Sequence, residues 1–113
     1  MENKILLGFS TCPDEATGGR IARRLLEERL AACVNLQPGI RSIYRWRGAL
    51  QEDAECLLIA KTSAARVDAL TERLAQMHDY ELPEVVAVPV TAGLDGSLRW
   101  VADECAAPDA GAR

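Results

Sequence analysis

Apolar and polar positions recur with two different periods along the chain, and the changes between them mark seven elements. Ile5-Leu6-Leu7-Gly8-Phe9 is a short continuous apolar run, the pattern of a strand buried on both faces. It gives way to Thr11-Cys12-Pro13-Asp14-Glu15. There Thr11 and Asp14 have capping-box spacing, Pro13 suits a first helical turn, and the acids complement a helix dipole. Ile21, Ala22, Leu25, Leu26 and Leu30 then recur at three- and four-residue spacing, which predicts a helix over residues 14–30 with one apolar face. Gly18 and Gly19 inside it each cost about 1 kcal/mol relative to alanine, so weak first turns are expected.

Ala32 to Trp46 reads as a strand, with Val34, Leu36, Ile40, Tyr44 and Trp46 on one face and Cys33, Asn35, Arg41 and Arg45 on the other. Pro38-Gly39 predicts a bulge or bend within it. Arg47-Gly48 is a turn, and Leu50 to Thr62 returns as the partner strand, making one long hairpin. Thr62 or Ser63 is placed to cap a helix whose stripe of Val67, Leu70, Leu74 and Met77 ends at His78. Tyr80 to Glu84 breaks the pattern, and Val85 to Val90 is a strand that Pro89, lacking a donor, assigns to a sheet edge. Asp95 or Ser97 opens a last helix carrying Leu98, Val101 and Cys105. The order β-α-β-β-α-β-α is an α+β, ferredoxin-like (split β-α-β) plan: an antiparallel sheet with one long hairpin and an extra C-terminal helix. Residues 1–106 read as a single domain and residues 107–113 as a flexible C-terminal tail.

The hairpin is too long for the domain that carries it. Its first strand spans about 50 Å if extended, whereas a compact domain of this size has a radius of gyration of about 13 Å. Tyr44 and Trp46 ride on the overhang, which predicts an oligomer interface there.

Composition narrows the function. The chain has 113 residues and a formal charge of −4, and that acidic balance argues against a general grip on nucleic acid, which needs a basic face. The apolar run near Met1 is too short for a signal peptide and no run approaches a membrane span, so a cytoplasmic location without membrane attachment is expected. Four cysteines without a C-x-x-C pair exclude zinc-ribbon and thioredoxin-type sites. A single histidine means that any site with two imidazoles must draw on more than one subunit. No nucleophile elbow, Walker loop, Rossmann fingerprint or zincin motif is present, and the chain is not read as an enzyme.

Five segments together resemble the CutA divalent-cation tolerance family. They are Thr11-Cys12-Pro13-Asp14-Glu15-Ala16-Thr17; Glu28-Arg29-Leu30-Ala31-Ala32-Cys33-Val34-Asn35; Pro38 to Gly48, with its Ser42-Ile43-Tyr44-Arg45-Trp46-Arg47-Gly48; Lys61-Thr62; and His78-Asp79-Tyr80-Glu81-Leu82-Pro83-Glu84. The resemblance runs in order from about Leu7 to Trp100. It implies a cytoplasmic homotrimer, PII-like in architecture, that binds copper or another divalent cation and needs no organic cofactor. Matched by motif, the ligands of the family's bacterial copper binder, a cysteine and adjacent histidines, fall on Ser10, Met77 and His78.

His78 is accordingly the first candidate metal ligand, against the plainer role of a histidine closing a helix. Cys12 is the second, because it follows Ser10 on the same strand face and precedes a helix N-terminus, where a thiolate is stabilised. Cys33, Cys56 and Cys105 sit in apolar patterns as small core residues, and Met77 belongs to its helix stripe. Trp46, Lys61, Tyr80, Glu81 and Glu84 are candidates for an intersubunit cleft. Arg41, Arg45 and Arg47 face Glu52, Asp53 and Glu55 across the hairpin, so cross-strand pairing is expected. The alternative to a metal protein is a PII-like signalling module holding a small anionic ligand or a protein partner in those clefts.

Overall fold

The computed structural model describes residues 4–106, so the tail assigned to residues 107–113 lies outside the described residues. Its elements are β1 (Ile5–Cys12), α1 (Glu15–Glu27), β2 (Cys33–Trp46), β3 (Ala49–Ser63), α2 (Val67–Met77), β4 (Val86–Pro89) and α3 (Asp95–Glu104). The four strands form one antiparallel sheet in the order β2-β3-β1-β4, the ferredoxin-like arrangement with β4 at an edge. Pro89 stands opposite Leu6, and the neighbouring Val90 N–H donates to Ile5 O at 2.9 Å. The proline therefore occupies a position whose amide would point away from β1, where no donor is needed.

The two faces of the sheet differ. Even-numbered positions of β1 and β3 lie under α1 and α2, where Leu58 and Ala60 pack with Ile21, Leu25, Leu70 and Leu74 in the main core. Gly18 makes that packing possible. A side-chain carbon there would stand 3.1 Å from both Cys12 Sγ and Leu36 Cδ2, so the glycine lets α1 settle on the sheet. Leu7, Phe9, Leu57 and Ile59 point to the other face and are only half-buried. The expectation that β1 is buried on both faces thus fails within one chain. Helix α3 covers only the Ile5 end of that second face, where Val101 and Cys105 join Ile5 in a smaller core.

Caps account for the other departures. Asp14, not Thr11, caps α1: Thr17 N–H donates to Asp14 Oδ1 at 2.8 Å while Thr11 is still in the strand. The helix ends at Glu27, short of the expected residue 30. Neither Thr62 nor Ser63 caps α2, because Thr62 Oγ1 donates instead to Leu30 O at 2.7 Å inside the core and Arg66 occupies the cap position.

The hairpin keeps its length. The register of β2 on β3 shifts between Gln37 and Ile40, so Pro38-Gly39 is a bulge that leaves the pairing to continue to Trp46 and Ala49. Arg47 and Gly48 close it with φ of 51° and 81°, the positive values a two-residue turn of the I′ kind requires. The molecule is 50 Å in its longest extent and has a radius of gyration of 15.1 Å, larger than its residue count suggests.

Candidate functional site

Three of the sequence-predicted site residues, His78, Cys12 and Tyr80, converge at one end of the sheet, around the last residues of β1. Helix α2 delivers His78 there as its C-terminal flanking residue. His78 Nε2 lies 2.7 Å from Thr11 O, and since a carbonyl can only accept, Nε2 carries the proton. Nδ1 then holds the ring's lone pair, and Tyr80 N–H donates to it at 3.2 Å. Both nitrogens of this buried ring are therefore engaged by backbone, and a metal could reach one only by displacing it.

Tyr80 turns back over the histidine, with ring centroids 4.5 Å apart and planes tilted by 42°. Its hydroxyl donates to Glu55 Oε2 at 2.6 Å. Burial first, then the hydrogen bond and charge of Glu55, push the phenol well above its ordinary range. Glu55 is buried, and it serves this tyrosine rather than the hairpin arginines. That role was not foreseen. Glu55 is itself the first buried residue of β3 after the exposed distal hairpin.

Cys12 reverses its expectation. It is buried, and burial together with the neighbouring Cys56 thiol and nearby carboxylates pushes its pKa up to about 12, so the thiolate is disfavoured despite the adjacent helix. Its sulfur donates to Cys56 O at 3.5 Å. Cys56 stands directly opposite it across β1 and β3, a pairing that needs the register and not the pattern alone. Cys33 is half-buried rather than a core residue, whereas Cys56 and Cys105 are buried as expected. Ser10 is also buried, and its hydroxyl has no hydrogen-bond partner among the described residues.

The other candidates are spread along the hairpin and the loop after α2. Arg47 pairs with Glu81 and lies with Cζ 5.1 Å from the Trp46 ring centre. Of the three hairpin arginines expected to pair across the strands, Arg41 does so, with Glu52, whereas Arg47 turns to Glu81 and Arg45 has no ion pair among the described residues; Asp53 accepts instead from the Tyr44 hydroxyl. Glu84 is exposed, and Lys61 is half-buried on the partly bare sheet face. Tyr44 is exposed on the overhang and Trp46 half-buried. Among the described residues no group of three or more His, Cys, Asp or Glu side chains is placed to hold one metal ion. No helix among the described residues is long and apolar enough to cross a membrane.

A family model described as "CutA1 divalent ion tolerance protein" matches residues 6–104. Protein CutA of Mus musculus is 50% identical over 93 residues, covering 82% of this chain and 52% of its own, so the chain spans about half the length of that relative. The divalent-cation tolerance protein CutA of Thermus thermophilus is 46% identical over 101 residues, covering 89% of this chain and 95% of its own. The crystal structure of CutA from Xylella fastidiosa superposes with a TM-score of 0.88 at 45% identity, over 90% of this chain and 98% of that one.

Proposed function

Since the chain belongs to the CutA1 divalent ion tolerance family, we propose that it serves divalent-cation tolerance, copper included, as a cytoplasmic homotrimer whose metal-contacting surface is completed between subunits. The observation that carries this reading is the second face of the sheet. Leu7, Phe9, Leu57 and Ile59 are half-buried, and beside them Val86 and Val88 on the edge strand are 51% and 44% exposed. A contiguous apolar surface of this kind on a central sheet calls for another chain. The overhanging hairpin, with Ile43 at 64% and Leu50 at 71% exposure, extends the surface available to neighbours. Four free cysteines suit a reducing compartment. In this reading the cation meets donors from two subunits, with His78 joining only if Tyr80 N–H releases Nδ1.

Light scattering at micromolar concentration tests the assembly, and the electron paramagnetic resonance signal of copper(II) tests the site, since only the divalent ion gives it. A mass of three subunits and a bound copper(II) signal are expected. An Ile59→Glu variant should be a folded monomer without that signal. A monomeric wild type, or an Ile59→Glu monomer that binds copper(II) as before, defeats the proposal.

A further inference from the structure

Cys12 and Cys56 are the one pair of thiols that the sheet register sets face to face. At the far end of the same ladder Ala64 N–H donates to Lys4 O, which places the hydrogen-bonded pairs on the even positions of β1, the last being Cys12 with Cys56. In such a pair the Cα atoms stand about 5.5 Å apart and both side chains leave the sheet on the same side. Here that side is the helix-covered one. The two sulfurs crowd a single point beneath the first turn of α1: a carbon added to Gly18 would stand 3.1 Å from Cys12 Sγ and 3.6 Å from Cys56 Sγ. Both residues are 1% exposed.

We propose that Cys12 and Cys56 form a two-coordinate site for a soft monovalent cation, copper(I), within each subunit. Thiols on facing positions of a hydrogen-bonded pair present both sulfurs to one side of the sheet, where a single two-coordinate cation can bridge them. Thiolate is the soft donor that selects copper(I) over the harder divalent ions, and two thiols meet here beneath α1. Binding exchanges two thiol protons for one cation, leaving a bis-thiolate complex of charge −1 and two protons released to solvent, with no change of oxidation state. That net negative charge lies beneath the first turn of a 13-residue helix, where the dipole favours it. The same burial that holds the thiols protonated makes the site closed to weak competitors, so occupancy depends on an ion that binds thiolate strongly enough to displace protons.

The test supplies copper(I) as its acetonitrile complex under argon to the full chain and challenges it with a chromophoric copper(I) chelator. One ion per subunit should be retained, with an X-ray absorption shell of two sulfurs and no nitrogen. Cys12→Ser and Cys56→Ser should each surrender the ion, whereas Cys33→Ser and Cys105→Ser keep it. The Ile59→Glu variant should also keep it, which separates this site from one shared between subunits. If the serine variants do not fold, the absorption shell of the wild type decides alone. No retained ion, a nitrogen in the shell, or retention by the folded Cys12→Ser/Cys56→Ser double variant overturns the proposal.

Discussion

The two faces of this sheet carry similar residues and end in different states. Under α1 and α2, Leu58 and Ala60 are 1% and 0% exposed and every neighbour they need belongs to the same chain. On the opposite face Leu57 and Ile59, the residues on either side of Leu58, are as apolar but only half-buried, and beyond β1 the edge strand β4 is exposed. Strand alternation guarantees this division, because one residue's step along β3 moves a side chain from one face to the other. The difference lies in what covers each face. Two helices close the first, and α3 reaches only the Ile5 end of the second. Alternate residues of the same strands thereby divide between a face closed within the chain and one left partly bare.

The sharpest way to break that division is to truncate its two sides separately. Leu58→Ala removes a fully buried side chain and should cost about 2–5 kcal/mol in urea unfolding, the same at every protein concentration. Ile59→Ala should cost clearly less at the lowest concentration, with a loss that grows as concentration, and hence assembly, rises. Equal losses at low concentration would mean that the second face is core to the single subunit.

A smaller effect separates the faces by pH. The buried Cys12 thiol lies on the helix-covered face with its pKa raised from 9.0 to about 12, and the Tyr80 phenol is raised in the same direction. In the unfolded chain these groups lose their protons first, so the folded state binds more protons through this window. Stability is then fully present below about pH 9 and falls as pH climbs toward 12. In the metal-free protein, melting temperatures taken from pH 8 to 11 should decline, and the decline should be shallower in Cys12→Ala. An unchanged slope in that variant would remove the thiol as a cause.

Pattern alone exposed much of this. The edge position of β4 was readable from Pro89, the bulge from Pro38-Gly39 and the overhang from the length of the hairpin. The cap of α1 was misplaced because Thr11 and Asp14 each have a polar side chain at a plausible spacing, and only backbone geometry shows that the strand still holds Thr11. Cys56 as the neighbour of Cys12, and Glu55 as the acceptor for Tyr80, depend on the register between strands 44 residues apart and on a loop folding back. Periodicity carries neither. The occupied nitrogens of His78 are likewise fixed by Thr11 O and Tyr80 N–H, backbone groups that are the same whatever the sequence.

The smallest expected effect lies at the hairpin tip, and its smallness is the point. The guanidinium of Arg47 and the carboxylate of Glu81 are 66% and 68% exposed, so in a lone subunit their ion pair is screened by water. Arg47→Ala should then cost about 0.2–1 kcal/mol, the range of exposed pairs, and less at high salt. That range holds only while the tip stays wet. If a neighbouring subunit closes over Trp46 and Arg47, the same substitution strands Glu81 in a drier place, and the loss should exceed that range and resist salt. Unfolding of Arg47→Ala in urea at low and high salt, at concentrations below and above assembly, reads which state the tip is in. A loss that stays small and salt-sensitive under all four conditions keeps the hairpin tip out of any interface.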